Sequence, residues 1–320
     1  MIEFISQNPI FQNPIILAIF LVIGLAILVG SAKIFVDGAS NIAYNFKIPA
    51  VIVGLTIVAF GTSAPEAATS IAFLSEKAAE AMGTIVGSNI FNILGVIGIS
   101  TLFGTLAVEK DLIKRDFPFL VISTIGLLII AYCHEKIDIA IGIIFLTIIF
   151  AYVIYLVMDT RKNKEEMAKE AKIELSIKKS ILYTIIGLIG IIIASLLIEN
   201  NTNAILDICE LKDGIIGFTI IALGTSLPEL ITSVNALRKG EKGMVVGNVL
   251  GSCIFNILFI LGICGVLGEI PLDGWLYHIL FMTVVTIVGA AFAYTQNEVN
   301  KKEGVVLILL YVVFIIFASL

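Results

Sequence analysis

Residues 53–66 read VGLTIVAFGTSAPE, and residues 216–229 read IGFTIIALGTSLPE. Further along, MGTIVGSNIFNIL at 82–94 is matched by VGNVLGSCIFNIL at 246–258. From the first pair of blocks to the second, the offset between copies changes by one residue. Two blocks held in register over that distance are an internal duplication. Each copy sets a proline and a glutamate inside an apolar run, so any fold for this chain must accommodate the same costly feature twice.

The apolar setting is a membrane. The 320 residues are 59% hydrophobic and 14% charged, where soluble domains have roughly 45–50% and about 25%. Ten runs can cross a bilayer, at about 15–41, 49–73, 79–103, 117–134, 137–158, 180–199, 213–236, 242–267, 275–294 and 303–320. None alternates as a barrel strand would. Helices satisfy their own backbone where lipid cannot, so the expected fold class is an all-α integral membrane protein of ten transmembrane helices.

Lysine and arginine orient it. With the N-terminus outside, sixteen of the 20 basic residues fall in inner loops, and only Lys77, Lys136 and Lys212 fall in outer ones. That bias predicts both termini outside, with the longest loop, 159–179, as a solvated cytoplasmic connector. Lys33 lies within the first span, four residues before Asp37, a spacing that permits a helix-face ion pair.

Other classes fall away. No basic tract suggests nucleic acid. Cys133, Cys209, Cys253 and Cys264 form no CxxC, and His134 and His278 are far apart, so a thiolate or imidazole metal site is not expected, nor is a cofactor. The opening MIEFISQNPIFQNP lacks the basic start of a signal peptide and reads as a short lead into the first span.

The duplication divides the chain into a first half, 1–158, with its repeat at about 50–103, and a second, 180–320, with its repeat at about 213–267. Each half holds five spans. Five is odd, so the second half enters from the opposite face and the repeats are inverted, as in secondary transporters that bind substrate near the midplane. Spans 2, 3, 7 and 8 carry the matched blocks and should be broken and central. Pro65 and Pro228 lack an N–H and displace the carbonyl four residues back, which should leave backbone oxygens free near Ala59, Thr62, Ala222 and Thr225.

The glutamates weigh most. A carboxylate at mid-membrane costs at least about 2.5 kcal/mol, and the pseudo-symmetry brings Glu66 and Glu229 together. Thr62, Ser63, Thr225 and Ser226 surround them, with Thr69, Ser70, Thr232 and Ser233 one turn on. Ser88 and Asn92 share a helix face at a spacing of four, as do Ser252 and Asn256. Every donor is oxygen, which suits hard cations such as Ca²⁺ and Na⁺, not zinc or copper.

At these residues the chain resembles the α-repeats of the cation/Ca²⁺ exchanger superfamily, with the prokaryotic Na⁺/Ca²⁺ exchanger branch the nearest match. The resemblance implies a plasma-membrane antiporter, not an enzyme, that extrudes Ca²⁺ as Na⁺ comes in, a monomer sufficing for transport. It implies Glu66 and Glu229 as principal Ca²⁺ ligands, completed by the carbonyls of Thr62 and Thr225. Ala59 and Ala222 carbonyls with Ser63, Ser226, Ser88 and Ser252 would form flanking Na⁺ sites, and Asn92 and Asn256 would line the middle. Spans 1 and 6 would be the sliding elements. Several relatives, potassium-dependent ones included, carry aspartate where Asn256 stands. Two carboxylates are balanced by one Ca²⁺ or two Na⁺, so stoichiometry and K⁺ dependence are expected to differ from those relatives. The rival readings are H⁺/Ca²⁺ exchange through the same glutamates and, further off, a cation channel or an intramembrane enzyme.

Overall fold

The computed structural model describes residues 13–74, 78–162, 174–208 and 223–319. Among these, seven helices are long and apolar enough to cross a membrane, or eight if one bent pair counts as a single span. The order is α1 (Pro14–Phe46), the bent pair α2 (Ala50–Thr62) and α3 (Ala64–Phe73), α4 (Ala78–Phe103), α5 (Leu112–Cys133), α6 (Ile139–Lys162), α7 (Ile177–Ile208), α8 (Leu227–Arg238), α9 (Lys242–Leu267), α10 (Leu276–Gln296) and α11 (Lys301–Ser319). The expected seventh span, 213–236, is represented by α8, because residues 209–222 lie outside the described part. The tenth corresponds to α11, helical over 19 residues.

Local chemistry sets the boundaries. The Asn13 side chain accepts from Ile15 N–H at 3.0 Å ahead of Pro14, which opens α1. Asp138 takes the Ala140 and Ile141 N–H groups at 3.0 Å to open α6. Before α11 the Asn300 carboxamide accepts from Glu303 N–H at 3.2 Å, and Glu303 accepts from Asn300 N–H at 2.8 Å, a reciprocal cap. Pro65 breaks the second span as expected: Ser63 leaves the helix with φ −85° and ψ 5°, and α2 and α3 meet at 42°. Ser226 has nearly the same conformation, φ −89° and ψ 6°, before Pro228. Spans 3 and 8 run straight through. Each instead widens into a π turn, beginning at Asn92 in α4 and at Asn256 in α9.

Burial separates centre from periphery. The spanning windows of α4 and α9 are 83% and 78% buried, those of α5 and α6 only 28%. Exposed isoleucines such as Ile122, Ile129, Ile143 and Ile154 give α5 and α6 a lipid-facing side. In the centre α9 crosses α2 closely: a Cβ on Gly247 would lie 2.5 Å from the Val51 carbonyl oxygen, and one on Gly251 2.6 Å from that of Leu55. A second close pair is α1 with α7, where a Cβ on Gly187 would lie 2.5 Å from Phe35 N.

Two short antiparallel ladders join loops of opposite halves. β1 (Leu106–Ala107) pairs with β4 (Glu298–Val299), and β2 (Lys136–Ile137) with β3 (Ile270–Pro271). α5 begins earlier than expected because its polar first turn is satisfied in place. Asp116, wholly buried, accepts from Arg115 Nε at 2.8 Å and Tyr152 OH at 2.6 Å, while Arg115 Nη1 reaches Asp159 at 2.8 Å. The Lys33–Asp37 spacing resolves differently from expectation: Asp37 pairs with Lys239 at 2.8 Å, since the end of α8 packs against α1. Near that corner Tyr44 OH donates to Glu241, and Asn41 Oδ1 accepts from the N–H groups of Glu174 and Leu175 at 3.0 and 2.9 Å. Glu241 lies in the turn between α8 and α9, and burial holds its carboxyl above the usual carboxylate range.

Candidate cation site

Both glutamates are fully buried. Each follows its proline by one residue, in the first turn of the helix that restarts after the break, where backbone N–H groups favour negative charge. The break also hands a serine from each motif to the other half. Ser63 Oγ donates to Glu229 Oε1 at 3.0 Å, and Ser226 Oγ to Glu66 Oε1 at 3.2 Å. The serines of the second blocks add a contact each, Ser88 to Glu66 Oε1 at 3.4 Å and Ser252 to Glu229 Oε1 at 3.3 Å. Ser88 and Ser226 are themselves 2.7 Å apart.

Each carboxylate is thus held by one oxygen. The other, Oε2, has no hydrogen-bond partner in either residue, and the same is true of Asn92 Oδ1 and Asn256 Oδ1. Four buried acceptor oxygens, two from each half, are left uncommitted. Unpaired acceptors in a low-dielectric core are costly, and a hard cation is the ligand that offsets the cost. Among the described residues no group of three or more His, Cys, Asp or Glu converges, so the donor set is two carboxylates with neutral oxygens. Such a set matches Ca²⁺, which takes 6–8 oxygens at about 2.3–2.6 Å, or smaller numbers around Na⁺.

The remaining sequence-predicted residues divide. Thr62 is buried, with its hydroxyl donating to Asn248 Oδ1 at 3.2 Å and lying 3.5 Å from Ser252 Oγ. Asn256 Nδ2 donates to Ser88 Oγ at 3.2 Å, within the same network. Asn92 and Thr225 are buried. The Ala59 carbonyl, expected to be freed by the break, instead accepts from Ser63 N–H at 3.0 Å, because the proline displaces the carbonyl of Gly61 and leaves the preceding turn closed. Ala222 lies outside the described residues.

Two amides join that the motif did not single out. Asn248 Nδ2 donates to Ser233 Oγ at 3.1 Å and to the Glu229 carbonyl at 3.4 Å. Asn89 Oδ1 accepts from Asn256 Nδ2 at 2.9 Å, and Asn89 Nδ2 donates to the Cys253 carbonyl at 3.2 Å. Each replaces a different residue in the other copy, Thr84 for Asn248 and Cys253 for Asn89, so identity between copies conceals them. Spacing would have found Asn248, four residues before Ser252 on one helix face.

Comparisons with known proteins agree with this geometry. The family described as sodium/calcium exchanger protein matches residues 16–158 and again 179–320. The putative antiporter CaxA of Alkalimonas amylolytica is 34% identical over 314 residues, covering 93% of this chain and 97% of its own. The sodium/calcium exchanger MaX1 of Methanosarcina acetivorans is 29% identical over 341 residues, with the same coverage of 93% and 97%. A structure of the sodium-calcium exchanger NCX_Mj, soaked with Na⁺ and Ca²⁺, superposes with a TM-score of 0.81 at 28% identity, covering 93% of this chain and 97% of that one.

Proposed function

The chain belongs to the sodium/calcium exchanger family, and on that premise we propose that it is a secondary antiporter exchanging Na⁺ for Ca²⁺ across a membrane by alternating access. The observation that carries this reading is the pair Glu66 and Glu229, each fully buried, each gripped through Oε1 by serines of both halves and each with Oε2 unpartnered.

In this reading the two glutamates hold Ca²⁺, completed by Thr62 and Thr225 and by the oxygens of Asn92 and Asn256. Na⁺ competes through Ser63, Ser226, Ser88 and Ser252. Loss of every cation leaves two carboxylates unpaired in the protein interior, so the empty carrier resists crossing and exchange is enforced over leak. The two carboxylates are balanced by one Ca²⁺ or two Na⁺. Halves of inverted topology, 1–158 and 180–320, joined by the connector 159–179, supply the two access routes, a division supported by a family match that itself falls in two pieces. The termini face outside a cell membrane, and Ca²⁺ leaves as Na⁺ comes in down its gradient. The lysine and arginine bias supports that orientation.

The test is uptake of radiolabelled Ca²⁺ into proteoliposomes loaded with Na⁺ and diluted into Na⁺-free buffer. Uptake that needs internal Na⁺ is expected. Uptake indifferent to Na⁺ and driven by a pH gradient would move the protein to proton exchange. Reversal potentials under imposed gradients would read the stoichiometry, and a ratio of three Na⁺ to one Ca²⁺ would defeat the charge-balance reading.

A further inference from the structure

Glu199 lies within α7, near the end of a spanning segment, and belongs to neither motif. Its two carboxylate oxygens lie 2.8 and 2.9 Å from one hydroxyl, Thr69 Oγ1 on α3. A hydroxyl carries one proton, so it satisfies one of those oxygens at a time. Among the described residues Glu199 has no ion pair. One turn along the same face of α7, Asn203 Oδ1 is a buried acceptor with no partner. Thr69 itself stands three residues beyond Glu66, about 4.5 Å further along the helix axis.

The duplication does not require this group. At the offset of the GTS blocks, the α1 residue corresponding to Glu199 is Val36, and Thr232, the counterpart of Thr69, has an unpartnered hydroxyl. The feature therefore belongs to one access route only. An ionisable residue within a span, with oxygen ligands around it and, among the described residues, no basic partner, marks an ion path.

Resting on the exchanger reading above, we infer that Glu199, Thr69 and Asn203 form a second cation subsite between α7 and α3, taking Na⁺ on the external route to the central glutamates. One carboxylate and neutral oxygens balance a monovalent hard cation. Because α7 and α3 each contribute ligands, the ion also bridges the peripheral helix pair to the centre.

The experiment compares wild type with E199Q in right-side-out and inside-out membrane vesicles, titrating Na⁺ on each face. Glutamine keeps an acceptor for Thr69 and loses the charge. The expected result is a three- to tenfold rise in half-saturating Na⁺ on the external face, with the internal Na⁺ and Ca²⁺ dependences within twofold of wild type. No shift, or equal shifts on both faces, would overturn the subsite. In parallel, crystals of the full chain soaked in Tl⁺ should show an anomalous peak between Glu199 and Thr69 that disappears in E199Q. Absence of that peak in the wild type would also overturn it. The crystallographic arm needs no transport, so a chain that fails to exchange Na⁺ for Ca²⁺ defeats the exchanger reading without deciding the subsite.

Discussion

Glu66 accepts from Ser226 and Ser88 at 3.2 and 3.4 Å, and Glu229 from Ser63 and Ser252 at 3.0 and 3.3 Å. One shell further out the two halves part. On the Glu229 side, Asn248 reaches across helices to Ser233 and the Glu229 carbonyl and accepts from Thr62. On the Glu66 side the corresponding residue is Thr84, whose hydroxyl turns back to the Glu80 carbonyl of its own helix at 3.1 Å, and Ser70, the counterpart of Ser233, has no partner. Direct contacts to the charge are matched because the motif writes them twice. Their support is not: Asn248 ties the Glu229 backbone to Ser233 and Thr62, whereas Thr84, among the described residues, makes no such contact with the Glu66 segment.

The largest effects should confirm the match. E66Q and E229Q each remove one of two buried charges, a loss of about 3–5 kcal/mol where such a charge is paired, so Na⁺-driven Ca²⁺ uptake should fall at least about a hundredfold in both. A variant retaining a tenth of wild-type uptake would show that the carboxylates are not equivalent. The next pair should expose the asymmetry. N248A strands the Ser233 hydroxyl at about 1–3 kcal/mol, raising half-saturating Ca²⁺ about tenfold, whereas T84A should stay within twofold. Equal responses would erase the difference between the halves. S63A and S226A come third: each removes one hydroxyl from a carboxylate, about 1 kcal/mol, and their Ca²⁺ affinities should fall about fivefold and agree within twofold.

Smaller effects lie at the corner where α1 meets the turn between α8 and α9. D37N breaks a part-exposed ion pair with Lys239 and should cost up to about 1 kcal/mol in thermal unfolding. At Glu241 burial raises the carboxyl in the folded state. Its stabilising contribution is therefore complete below the unfolded value and is lost as pH rises through the folded one. E241Q should flatten the fall in melting temperature across that window, and an unchanged slope would assign the pH dependence elsewhere.

Much of this was legible without coordinates. The break at Ser63 follows from Pro65, and the burial of α4 and α9 from the matched blocks they carry. Glu66 and Glu229 declare themselves because a carboxylate inside an apolar run has no cheap structural use. Their direct hydroxyl ligands repeat with the motif, so Ser63, Ser226, Ser88 and Ser252 were readable too.

The rest depends on which helix lies against which. Asn248 and Asn89 act across interfaces whose other side is distant in sequence, and neither repeats in its partner copy. Asp37 had Lys33 at helical spacing, yet the packing of α1 against α8 made Lys239 its partner. Glu199 reads in sequence as one more polar residue near a helix end, and only the approach of α7 to α3 sets it against Thr69. Covalent and local rules — a missing N–H, a period of 3.6, the cost of a charge in lipid — act within one segment and are written there. Hydrogen bonds between segments depend on distances that only the packed bundle determines.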